Sequence, residues 1–160
     1  MTLTRRSFTL GAVAAPLCAP ALYAASDYKI DTMVSGLDAP WAIGFVADGI
    51  LITERDGALL WISQGKQARV SGLPAIEADG QGGLLDILIP RDFAKTGHIF
   101  LTYAKAQGRG AGTAVLRARF DPNKAMLSEV RTIFEMRKGS SGGRHFGSRI
   151  VEARDGTLFI

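Results

Sequence analysis

The stretch "WAIGFVADGILITERDGALLWIS", residues 41–63, decides how the chain is read. Three apolar, β-rich runs, at 41–46, 50–54 and 58–63, are separated by Ala47-Asp48-Gly49 and Arg55-Asp56-Gly57. Asp-Gly between apolar runs is a strong hairpin signal, because Gly takes positive φ without steric cost and Asp tolerates it. The three runs predict adjacent antiparallel strands, a meander.

The theme recurs downstream. Strands are predicted at 84–89, 98–105 and 113–120, with a turn at 90–97 and a Gly-rich loop at 108–112. Residues 129–136 predict a further strand. "SRIVEA" (148–153), "RDG" and "TLFI" (157–160) open a third unit, in which "RDGTLFI" echoes "ADGILIT" of the first. Short strands in loosely repeating units of about 40–60 residues read as propeller blades. A parallel α/β fold is disfavoured, since no amphipathic helix separates the strands. A β-sandwich is the alternative architecture. The expected fold class is all-β, the first two to three blades of an incomplete propeller. The chain stops at Ile160 inside an apolar run, and an unprotected apolar strand is a liability that whole domains avoid. Residues 25–160 are therefore expected to be the N-terminal portion of a longer propeller domain, inactive by itself.

Residues 1–24 read differently. "MTLTRRSFTLGAVAAPLCAPALYAAS" has a short basic start, a mild apolar stretch from Phe8 to about Leu22, and small residues near Ala21 and Ala24-Ala25. That is the pattern of a bacterial secretory signal. Gly11, Pro16 and Pro20 interrupt the apolar stretch, which is too short and broken for a membrane span. Arg5-Arg6 before Ser7-Phe8 resembles the twin-arginine export motif. Cleavage is expected after Ala21 or Ala24, and Cys18 lacks the residues that precede a lipidated cysteine. The expected location is periplasmic or secreted.

Composition is that of a folded protein: 47% of residues are hydrophobic and 21% charged, with no low-complexity tract. The formal charge of +4 falls, without Arg5 and Arg6, to 17 basic against 15 acidic residues, or +2. The basic residues are scattered and leave no footprint for nucleic acid. Cys18 is the only cysteine, so a mature chain has no disulfide and no cysteine metal site. No EF-hand or zinc spacing occurs, and no metal ligand is assigned.

The remaining question is "GSSGGRHFGSRIV", residues 139–151. A His in a Gly-rich loop before a strand is either an incidental loop residue or a base held at the rim of a rigid scaffold. Imidazole is the neutral base poised near pH 7. Elsewhere, Asp86 interrupts an apolar strand and must be paired if buried, which favours a structural role. Asp79 carries a weaker signal. His98 reads as a surface residue, and Trp41 and Trp61, at strand positions, as core rather than as stacking platforms for a ligand.

Three segments, in order, resemble one family. "GLDAPWAIGFVADGILITERDGALLWI", "DGQGGLLDILIPRDFAKTGHIFLTY" and "HFGSRIVEARDGTLFI" are similar to the first three blades of the soluble pyrroloquinoline-quinone-dependent sugar dehydrogenases, the glucose/sorbosone dehydrogenase family. The resemblance implies a six-bladed β-propeller with the quinone in a cleft on one face. It implies oxidation of an aldose at the anomeric carbon to a lactone. It makes His145 the general base and Gln81 a contact to sugar hydroxyls, for which an amide suits as both donor and acceptor. For Gln81 the alternative is plain turn chemistry. Arg149 is implied as a contact to the quinone carboxylates or to His145, or else as a brace for its strand. Pyrroloquinoline quinone and calcium are the implied cofactors, their main ligands lying in later blades. The implied partners are an aldose and a soluble electron acceptor. Arg144 departs from the pattern, since relatives place a small polar or acidic residue before the His; this bears on sugar preference. Competing readings are a non-enzymatic secreted propeller that binds glycans or protein partners, and a calcium-dependent propeller lactonase, which fits the strands but not the segments around Gln81 and His145.

The leader generates the first prediction. Replacing Arg5 and Arg6 with Lys in a fusion of the leader to a reporter is expected to abolish export. Normal export of that double variant would assign the leader to the general secretory route.

Overall fold

The computed structural model describes residues 29–160, and Thr32–Ile160 form one compact unit. The leader expected at residues 1–24, with Arg5, Arg6 and Cys18, lies outside the described residues.

The first meander is present and has one strand more than expected. Strands β1 (Pro40–Val46), β2 (Gly49–Glu54), β3 (Ala58–Ser63) and β4 (Lys66–Arg69) form an antiparallel sheet in sequence order. At the β2–β3 turn, Asp56 Oδ1 accepts the Ala58 N–H at 3.1 Å and Gly57 takes φ 103°. Gln64 and Gly65, both at positive φ (50° and 71°), make the two-residue turn into β4. Strand β4 is invisible to apolar patterning because all four of its residues, KQAR, are exposed. It is the sheet edge, and its cations discourage pairing with another chain.

The second sheet is β5 (Leu84–Leu88), β6 (His98–Gln107), β7 (Gly110–Asp121) and β8 (Met126–Glu135), again antiparallel and in order. A single helical turn, α1 (Phe93–Thr96), lies in the predicted 90–97 turn and ends at Gly97 in the left-handed conformation. The loop expected at 108–112 shrinks to Gly108-Arg109, because Gln107 pairs with Gly110. Gly110 and Gly112 belong to β7. A Cβ at Gly110 would lie 2.5 Å from the Ser140 carbonyl oxygen, and one at Gly112 would lie 2.6 Å from Gln107 Oε1. Their role is close approach within a strand, not turning. A two-stranded sheet, β9 (Val151–Glu152) with β10 (Leu158–Phe159), follows.

No strand crosses from one four-stranded sheet to the other. That order is the order of successive propeller blades, not of a Greek-key sandwich. The chain holds two blades and the opening hairpin of a third. The main core lies between the first two: Leu51, Leu59 and Trp61 of the first meet Leu84, Leu101 and Leu116 of the second. Trp61 is buried, as expected, with its ring edge-on to Phe120 at 5.2 Å. Trp41 is not core. It is 47% exposed at the start of β1. His98 is not a surface residue either: its side chain is mostly buried, with Nε2 3.7 Å from Glu129 Oε2. It pairs across the ladder with Arg119, which itself bonds Glu129 at 3.0 Å, so the β6–β7–β8 register draws His98 under a polar cluster.

One hydroxyl ties the blades together. Thr53, fully buried on β2, donates to the Leu85 carbonyl at 2.6 Å and accepts the Ala42 N–H at 3.0 Å. Thr53→Val keeps the volume but leaves both backbone groups without that partner. It is expected to lower stability by about 1–3 kcal/mol, the cost of stranding buried polar groups, as read from the urea midpoint. Thr53→Ser is expected to recover most of the loss.

Candidate functional site

Two loops make the site, and glycines let them touch. Gly80 (φ 58°) lies so close to Gly143 that a Cβ would sit 2.4 Å from its carbonyl oxygen. The Gln81 N–H donates to that same oxygen at 2.8 Å. The Gln81 side chain then reaches along the second loop, where its Oε1 accepts the His145 N–H at 3.0 Å. Because the partner is a donor, the amide orientation is set chemically: oxygen toward His145, nitrogen free to donate elsewhere. The sequence-predicted pair, 64 positions apart, is thus brought together.

Gly83 brings in a third element. At φ 141° its α-carbon lies against Arg55, where a Cβ would be 1.9 Å from the carbonyl oxygen. That oxygen accepts the Leu84 N–H at 3.2 Å, and Arg55 Nη1 donates to the Gly80 carbonyl at 3.2 Å. The β2–β3 turn is thereby locked beside the Gln81 loop. Below them Phe146 packs on Leu85, Ala104 and Ala111.

The result is a cavity of about 360 Å³ lined by Trp41, Arg55, Gln81, Leu85, His145, Phe146 and Gly147. Its floor is apolar. Its polar groups are one imidazole, one amide and one guanidinium, and no carboxylate lines it. This is the composition of a small-molecule site, an apolar body with a few convergent polar groups. His145 is exposed and holds φ 63°, an unfavourable conformation for a non-Gly residue. Trp41 and Arg55 are functional candidates that the sequence did not mark. Their only signal was position, in a strand start and a turn that Gly83 brings to the site.

Arg149 lies outside this lining. Its Nη1 donates to Asp86 Oδ1 at 2.9 Å, while the Ile150 N–H donates to Asp86 Oδ2 at 2.8 Å. Asp86 is 2% exposed and therefore paired, as its place in an apolar strand required. Asp79 faces a neighbouring cavity of about 270 Å³ with Glu77, Arg109 and Gly143. The groups with shifted ionisation are also off the His145 cavity. Hydrogen bonds from Lys105 and Gln107 hold Glu135 below the usual carboxylate range, and the Arg91 N–H does so for Glu152. Among the described residues no cluster of three or more His, Cys, Asp or Glu is placed to hold a metal ion. No described helix is long and apolar enough to cross a membrane.

Residues 37–160 match the Glucose / Sorbosone dehydrogenase family. The chain belongs to that family. It is 40% identical over 146 residues to the aldose sugar dehydrogenase YliI of Escherichia coli (strain K12), covering 88% of this chain and 39% of that protein. Among solved structures it is similar to a glucose dehydrogenase, with 38% identity and a TM-score of 0.77, over 81% of this chain and 39% of the other. The fold also matches the PQQ-bound form of aldose sugar dehydrogenase from Streptomyces coelicolor, at a TM-score of 0.70 and 22% identity, over 81% and 39% of the two chains. The chain thus spans about two-fifths of the length of these relatives.

The Gln81 clamp is open to test. Gln81→Leu removes the acceptor for the His145 N–H. That amide is expected to exchange with solvent about fivefold faster or more, the factor that about 1 kcal/mol represents. Gln81→Glu keeps an acceptor oxygen and is expected to retain the protection.

Proposed function

We propose that the protein from which these blades come oxidises an aldose at its anomeric carbon to the lactone, and that His145 is the base. The observation that carries this reading is the convergence of His145 and Gln81 on one cavity, in a chain of the Glucose / Sorbosone dehydrogenase family.

The reaction removes a proton from the C1 hydroxyl and a hydride from C1. An unprotonated ring nitrogen of His145 takes the proton, and imidazole has the basicity for that step near neutral pH. Gln81 holds the loop through its oxygen and offers its amide N–H groups to a sugar hydroxyl. Trp41 brings a half-exposed indole and Arg55 a guanidinium, groups suited to a sugar ring and to carboxylate or hydroxyl oxygens. Arg144 precedes the base and is exposed, where it bears on which sugar is preferred.

Pyrroloquinoline quinone, when bound, supplies the hydride acceptor. The donor set in hand fits part of such a group: Arg55 suits a carboxylate and Trp41 a flat ring, while Arg149 is exposed outside the cavity lining with one nitrogen on Asp86. The PQQ-bound relative supports the cofactor class. Calcium finds no ligand set among the described residues, so no step is assigned to it. A soluble acceptor for the electrons, export through the leader at 1–24 and a periplasmic or secreted location complete the proposal.

In the full-length, quinone-loaded protein, His145→Ala is expected to slow aldose oxidation at least about a hundredfold, within the 10²–10⁴ that a positioned base contributes. Quinone affinity is expected to change little. His98→Ala is expected to be near neutral in the same assay. A His145→Ala protein that turns over aldose at the parent rate would end the assignment.

A further inference from the structure

The connection from β8 to β9 crosses the second blade, and after a single bridge from Ser140 to Ala111 of β7 it joins no strand ladder until β9. Alternate residues 146, 148 and 150 are instead held by side chains from three neighbouring strands taken in order. Thr113 of β7 donates to the Phe146 carbonyl. Thr102 of β6 donates to the Ser148 carbonyl at 2.9 Å. Asp86 of β5 accepts the Ile150 N–H at 2.8 Å and Arg149 Nη1 at 2.9 Å. The rungs are joined, since the Asp86 N–H donates to Thr102 Oγ1 at 2.8 Å. Thr113, Thr102 and Asp86 are 4%, 0% and 2% exposed.

Apolar residues would pack these strands as well, and buried polar groups are costly unless bonded. All three spend that bonding on the segment just after His145. The segment needs holding: the non-Gly residues His145 and Ser148 sit at φ 63° and 102°, and such backbone persists only where its surroundings over-determine it. Gln81 secures the upstream side through the His145 N–H. We infer that Asp86, Thr102 and Thr113 are positioning residues, a buried polar ladder that aims the His145 backbone for proton transfer. The inference rests on the reading of His145 as base.

The test uses Thr102→Val and Thr113→Val in the full-length, quinone-loaded protein. Misplacing a base by about an ångström costs up to about a hundredfold, so kcat is expected to fall about ten- to a hundredfold with KM nearly unchanged. Amide exchange is expected to rise across 146–150 and not in the β6–β7 ladder. Thr102→Ser and Thr113→Ser keep the hydroxyl and are expected to restore both readouts. In a His145→Ala background, Thr102→Val is expected to cost nothing further. The ladder is overturned by unchanged kcat, by unchanged protection of 146–150, by protection lost throughout the blade, or by an undiminished cost in the His145→Ala background. If His145→Ala itself leaves the rate intact, the base assignment and the catalytic part of this inference fall together. The exchange data still report separately whether the hydroxyls hold the loop.

Discussion

A carboxylate only 2% exposed in the middle of an apolar strand constrains everything around it. Asp86 has two oxygens to satisfy, and the chain supplies a backbone N–H and a guanidinium from residues 149–150. The desolvation cost falls on the carboxylate, because the Arg149 side chain is 77% exposed and keeps most of its hydration. The connection to the third blade must therefore pass over β5. With its end pinned there, the rest of that connection lies across β6 and β7, and His145 comes to the rim of the second blade.

The other buried polar side chains act in the same way. Thr53 bridges the first blade to Leu85 of the second, and Glu54 accepts the Asp38 N–H at 2.6 Å. Apolar burial drives the blades together but does not specify register or orientation between them. Directional bonds from a few hydroxyls and carboxylates do. Gly80 and Gly83 contribute by absence, each leaving room for a carbonyl that a Cβ would strike. The site is thus assembled from close backbone approach and satisfied polar groups, on blades whose cores are conventional.

The cavity's chemistry follows from which groups remain unspent. Gln81 uses its oxygen on the His145 loop and keeps its donors. Arg55 uses one nitrogen on Gly80, and Trp41 leaves nearly half its surface open. With no carboxylate in the lining, the wall favours ligands rich in acceptor oxygens. The opposed charges of the second blade, such as Lys105 with Glu135, are satisfied at its surface, away from the imidazole.

The sequence by itself determined the blade pattern, because a period of two and Asp-Gly turns are local properties that hairpin geometry obeys directly. It marked His145 and Gln81 through three ordered family-like segments, and Asp86 through the rule that a charge inside an apolar strand must be paired. It did not reveal β4, whose four residues are exposed and carry no apolar alternation. It misread Gly110 and Gly112 as loop, since a Gly required for close approach looks the same in sequence as one required for a turn. It placed Trp41 in the core and His98 on the surface, because strand position alone does not say which face of a blade is covered. Only the tertiary structure decided that Trp41 and Arg55 share a cavity with His145, that Arg149 is bound to Asp86, and that Thr102 and Thr113 hold the His145 loop. Each of these joins residues far apart in the chain through a backbone contact or a buried hydrogen bond, and such pairings exist only once the blades have packed.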